Sequence, residues 1–96
     1  MHDFTKKLVK NLLISITFFF IVILIGAAII GSIENWSFLD SFYMMTVTST
    51  TIGYGDFTPQ TDAGKLFISF YSLLSVGSFL YIFSLIAVTN AKTAVN

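Results

Sequence analysis

Thr50-Thr51-Ile52-Gly53-Tyr54-Gly55-Asp56 concentrates hydroxyls, two glycines and one acid in a chain that otherwise reads as oily helix. A cation leaving water must exchange its hydration shell for other oxygens, and rings of backbone carbonyls can supply them. For successive carbonyls to face one axis, the backbone must alternate between right- and left-handed conformations. The left-handed one costs a residue with a Cβ about 1–2 kcal/mol and glycine almost nothing. Gly53 and Gly55, at alternate positions, meet that need, and Thr51 adds a side-chain hydroxyl at one end of the run. A phosphate cradle does not fit, because the G-x-G-x-x-G spacing opened by Gly53 and Gly55 meets Thr58 at its sixth place. There is no nucleophile–base pair and no metal-ligating cluster, so an enzyme is disfavoured and no cofactor is expected. The chain has no cysteine, which excludes disulfides and thiolate sites.

The elements around this stretch set its context. The 96 residues, enough for one domain, are 55% hydrophobic and 10% charged, against about 25% charged in a typical soluble domain. No charged residue occurs from Asn11 to Ile33 or from Leu66 to Ala91. Both runs exceed the roughly 20 residues a transmembrane helix needs, and so small a soluble fold could not enclose two such helices. The first run also exceeds the about 7–15 residues of a signal peptide's apolar region, so it reads as a retained helix. Lys6, Lys7 and Lys10 precede it and Lys92 follows the second run, while Glu34, Asp40, Asp56, Asp62 and Lys65 lie between. The positive-inside rule therefore predicts a multi-pass protein of the cell membrane with both termini cytoplasmic. The lysines read as topology and lipid contacts, not as a nucleic-acid surface. His2 reads as a solvated residue.

The expected organisation is a cytoplasmic arm over 1–10, an outer transmembrane helix over 11–33, an extracellular turret, pore helix and filter over 34–61, an inner transmembrane helix over 62–90 and a cytoplasmic tail over 91–96. The outer helix itself is predicted from about Leu8 to Ser32. Phe18, Phe19 and Phe20 are expected to face lipid, while Ala27 and Gly31 have the small-xxx-small spacing of close helix contact. Trp36 reads as an interfacial anchor. Ser37 is a good N-cap, with Asp40 three residues on, for a short helix in "SFLDSFYMMTVTST". Propensity alone reads "TVTSTTI" as a β-strand. A lone strand in lipid, however, leaves its backbone groups unsatisfied; irregular backbone at that depth is tolerated only where protein buries it or it lines water. Pro59 marks a bend, and Thr61 with Asp62 can cap the following helix.

"TTIGYGD", between a short helix and a second spanning helix, resembles the selectivity filter of two-transmembrane-helix potassium channels. The resemblance runs from about Trp36 through the second helix. It implies an all-α membrane fold, a homotetramer around a cyclic axis, and passive K+ conduction. It assigns the ion-binding oxygens to the Thr51 hydroxyl and the carbonyls of Thr51, Ile52, Gly53 and Tyr54, with Gly55 closing the filter. The Ile52 and Tyr54 side chains then point into surrounding protein, where Tyr54 could meet Tyr43 or Met44. Thr50, Asp56, Tyr43 and Val47 are the expected filter supports. Asp56 reads as a brace bonding across to the pore helix, with Tyr43 its best partner. Asp40 and Asp62 read as helix caps.

Departures from the family pattern are informative. Some members carry a glutamate where this chain has Val47, and others a hinge glycine where it has Ser75; Gly77, two residues later, is the candidate hinge. Val76, Leu80, Ser84 and Ala87 are candidates for the cavity wall, with plain helix packing as the competing reading. "PQTDAGK" is also similar to small bacterial cation channels, whose nonselective members carry Asp at the place of Tyr54. A weakly selective cation channel is therefore the alternative within the class. A non-conducting membrane subunit is the alternative outside it, and gives no reason for alternating glycines.

Overall fold

The computed structural model describes residues 2–95, with side chains from 3 to 91. The side chains of His2 and Lys92, read above as solvated and as part of the inner basic flank, lie outside the described ones. Three helices follow one another: α1 (His2–Glu34), α2 (Phe38–Ser49) and α3 (Asp62–Val95). The described residues contain no strand. The chain is all-α, and the strand reading of "TVTSTTI" gives way to a helix through Ser49. The helix accommodates these hydroxyls locally: Thr46 and Thr50 donate to the carbonyls of Phe42 and Thr46, each at 2.8 Å. α1 begins well before the expected start near Leu8, so the arm is helical and continuous with the outer helix. α3 likewise runs through the expected tail to Val95.

The molecule measures 51 × 20 × 19 Å. A 33-residue helix rising about 1.5 Å per residue accounts for the long dimension. α1 and α3 are both long and apolar enough to cross a bilayer, yet only 22% and 17% of their most apolar stretches are buried within the chain. A soluble core helix would be covered; these present their apolar surface outward, as a lipid-facing or assembly-facing helix does. α2, at 12 residues, is about 18 Å long and cannot span the roughly 30 Å hydrocarbon core.

The three helices meet around Ile23, Ala27, Ile30, Met44, Met45 and Tyr71. The small residues of α1 let the other two approach. A Cβ on Gly31 would lie 2.6 Å from Ser41 Oγ of α2, and one on Gly26 would strike the Tyr71 ring of α3. Ala27 is itself fully covered. Phe18 and Phe20 are half exposed, as expected of lipid-facing residues, although Phe20 also meets Phe42 of α2 edge-on, ring centroids 6.2 Å apart. Phe19 corrects that reading: it stacks on Phe79 of α3, ring centroids 5.7 Å apart. α1 ends in a left-handed Asn35 (φ 59°), with the Trp36 N–H returning to the Gly31 carbonyl at 3.1 Å. The next residue but one, Ser37, caps α2 by accepting the Asp40 N–H at 3.1 Å.

Candidate functional site

The loop between α2 and α3 begins where α2 runs out of partners. Thr50 caps α2, its N–H directed to the carbonyls of Thr46 and Thr48. The chain then folds back under the helix end. Thr51 N–H donates to the Thr48 carbonyl at 3.1 Å, and both Ile52 N–H (3.0 Å) and Gly53 N–H (3.1 Å) donate to the single carbonyl of Val47. Val47 is buried and serves here through its backbone.

From this anchor the backbone alternates. Thr51, Gly53 and Gly55 have φ of 68°, 59° and 82°, while Ile52 and Tyr54 between them are absent from the positive-φ residues. The two glycines do what their spacing suggested. Thr51 was not legible in that role: a β-branched residue at positive φ is an outlier costing about 1–2 kcal/mol. The double clasp on the Val47 carbonyl, immediately downstream, is positioned to hold it there. An added Cβ at Gly53 or Gly55 would meet nothing within 4 Å, so both glycines answer to conformation and not to crowding.

Every residue from Thr51 to Asp56 is exposed, Ile52 at 56% and Tyr54 at 70%. Tyr54 is therefore not covered by Tyr43 or Met44 of its own chain. Tyr43 turns instead to Asp56. The Asp56 carboxylate, as hydrogen-bond acceptor first, then partial desolvation and the carboxylate's charge push the phenol above its ordinary 10.0. Phe57 wedges edge-on between Trp36 (5.6 Å) and Tyr43 (6.1 Å), so Trp36 packs against the loop.

Two supports escaped the sequence reading. One is Glu34, noted above only for its place between the two apolar runs. Just beyond the apolar run of α1, its carboxylate accepts the Gln60 N–H (2.8 Å), the Thr61 N–H (3.3 Å) and the Thr61 hydroxyl. These bonds, the hydroxyl first, hold its pKa below the ordinary 4.5, with Lys65 adding a smaller pull. Thr61 caps α3, accepting the Gly64 N–H at 2.9 Å. Gly64 has no Cβ because one would collide with the Glu34 carboxylate. The other support is the pair Ser49 and Tyr71, whose hydroxyls meet at 2.9 Å in the protein interior. The carboxylate at a helix end and the Gly three residues past Thr61 were the only signals for the first, and nothing in the sequence pairs Ser49 with Tyr71.

The inner-helix candidates separate by face. Tyr71, Ser75, Ile82 and Leu85 are the buried side of α3. Val76, Leu80, Ser84 and Ala87 lie on the opposite side by helical spacing, the last three exposed and Val76 partly so. Ser84 returns its hydroxyl to the Tyr81 carbonyl at 2.7 Å. Gly77 is exposed, with open space where a Cβ would stand. Among the described residues no group of three or more His, Cys, Asp or Glu side chains could hold a metal ion.

Known proteins are similar to this chain in sequence. The sequence signature described as "Ion channel" matches residues 13–92. The chain is 42% identical over 83 residues to "Probable potassium channel protein 2" of Methanocaldococcus jannaschii, covering 86% of this chain and 23% of that protein. It is 44% identical over 61 residues to "Potassium channel protein 1" of the same organism, covering 64% of this chain and 18% of that protein. A human relative, "Potassium channel subfamily K member 16", is 46% identical over 43 residues, covering 45% and 14%. The chain thus spans less than a quarter of the length of each of these relatives.

Proposed function

The chain belongs to the ion channel family, and from that premise we propose that it forms a potassium-selective pore conducting K+ passively across the cell membrane. The observation that supports the reading is the alternation of backbone handedness at Thr51, Gly53 and Gly55, the pattern that a run of carbonyls facing one axis requires. The ion sites are the Thr51 hydroxyl and the carbonyls of Thr51, Ile52, Gly53 and Tyr54. One chain offers one such loop, and a closed ring of oxygens needs several copies. Four copies around a cyclic axis, with Ile52 and Tyr54 buried against neighbours, form the working unit. Val76, Leu80, Ser84 and Ala87 line the cavity below the filter.

Both termini face the cytoplasm, by the charge asymmetry of the flanks. The end of α2 points its partial negative charge, about half an elementary charge, toward the cavity and favours a cation there. Glu34, Asp40, Asp56 and Asp62, repeated around the ring, concentrate cations at the outer mouth within a Debye length of about 8–10 Å. The test is ion flux from liposomes holding the purified chain, comparing K+ with Na+. Flux of K+ well above Na+ supports the reading, equal flux favours a weakly selective cation channel, and no flux overturns both. Native mass measurement in detergent reports the ring, and a flux-competent species of fewer than four chains contradicts it.

A further inference from the structure

The buried hydroxyl pair on α2 and α3 has no role in ion coordination or in capping, yet it sits one step from the loop's anchor. Ser49 is fully buried in the last turn of α2, and Tyr71 reaches it from α3 at 2.9 Å. The same turn of α2 carries the Val47 carbonyl, which holds Ile52 and Gly53. Tyr71 is itself seated: its ring lies over Gly26 of α1, where a Cβ would collide, and against Phe67 at 5.7 Å. One turn further along α3, Ser75 Oγ is fully buried and makes no hydrogen bond among the described residues. Four residues apart, Tyr71 and Ser75 share the buried face of α3.

From this geometry we infer that Tyr71 is a positioning residue for the filter, fixing the end of α2 through Ser49, and that Ser75 is the alternative seat for its hydroxyl. The inference rests on the reading of the loop as a conducting filter. Tyr71 and Ser75 share one helix and move together, whereas Ser49 belongs to another. Displacing α3 from α2 therefore breaks the Ser49 bond but leaves Ser75 within the phenol's surroundings. A buried phenol without a partner is costly, and Ser75 lowers that cost in the displaced state. The link from the inner helix to the filter base is thus reversible. Position 75, on this account, supplies a hydroxyl to the uncoupled state.

Tyr71→Phe removes the hydroxyl and keeps the ring over Gly26. In the intact chain reconstituted in liposomes, Tyr71→Phe and Ser49→Ala are each expected to shorten K+ current bursts about fivefold, the scale of one buried hydrogen bond. The double variant is expected to be no worse than either single one, with the K+/Na+ permeability ratio unchanged. Ser75→Ala should lengthen bursts, because the displaced state then strands the phenol. Amide hydrogen exchange at Ile52 and Gly53 should quicken in Tyr71→Phe and Ser49→Ala and slow in Ser75→Ala. Parent-like bursts and exchange in Tyr71→Phe, or additive losses in the double variant, overturn the positioning role. Bursts in Ser75→Ala that are unchanged or shorter overturn the second seat. A parent that carries no K+ defeats the conduction reading alone, since exchange at Ile52 and Gly53 still decides whether Tyr71 holds the loop.

Discussion

Gly26→Ala tests how closely the outer helix is fitted to the inner one. The new Cβ would stand 3.0 Å from Tyr71 Cζ and 3.1 Å from Cδ2, and nearer still to Cε2. Non-bonded carbons rest at about 3.5–4.0 Å, so the ring must retreat by roughly half an ångström or more. Three things restrain it: Tyr71 is 7% exposed, its hydroxyl is bonded to Ser49 at 2.9 Å and its ring lies against Phe67. Overpacking of this kind costs about 1–3 kcal/mol. Alanine returns up to about 1 kcal/mol of helix propensity over glycine. The expected net loss is about 1–2 kcal/mol per chain. Unfolding of the purified protein in mixed micelles, followed by the fluorescence of its one tryptophan, Trp36, measures it. The same substitution in a Tyr71→Leu background should cost little, because the ring is gone. Equal cost in both backgrounds, or no cost in the parent, refutes the packing argument.

Tyr54→Asp is expected to lower K+ selectivity over Na+, since it replaces a rigid, amphipathic ring with a small charge beside the carbonyls; an unchanged reversal potential in mixed ions would count against it. Gly77→Val should alter open probability or assembly more than selectivity: its side chain enters open space within the chain, so any effect arises from helix stiffness or a neighbouring chain. Parent-like gating and oligomer stability would contradict this. External pH should matter little between about 5 and 8, because neither brace titrates there. The lowered pKa of Glu34 makes its contribution complete above its ordinary 4.5 and lost as pH falls through the shifted value. The raised pKa of Tyr43 makes its contribution complete below 10.0 and lost as pH rises beyond the shifted value. Val47→Glu should add a pH slope by bringing a second carboxyl behind the filter, and Tyr43→Phe should shorten open times by taking the partner from Asp56; single-channel open time against pH reads both, and a steep parent slope near neutrality would overturn this account.

The sequence made the spanning helices legible because uncharged runs of that length admit few other readings, and it made the loop legible because alternate glycines have a conformational meaning. Ser37 and Thr61 were readable as caps for the same reason: a cap is a local interaction between near neighbours. What escaped was non-local. Glu34 meets Gln60 and Thr61 only after α1 and the loop are brought side by side, and Ser49 meets Tyr71 across two helices. Phe19 looked like its neighbours Phe18 and Phe20, and only the helix crossing distinguishes it. The extension of α1 to His2 escaped because the arm's charges masked a helical continuation that Asp3, acidic in the first turn, helps to start.

The exposure of Ile52 and Tyr54 in the single chain has a consequence for inheritance. On the tetramer proposed above, a filter that no chain encloses alone belongs to the ring, so one faulty member spoils the work of its normal companions. Where normal and filter-defective chains are made in equal amounts and rings of four assemble at random, wholly normal rings form only about one time in sixteen. Lesions in the loop should therefore behave as dominant, while lesions that keep a chain from folding, and so from joining any ring, should behave as recessive.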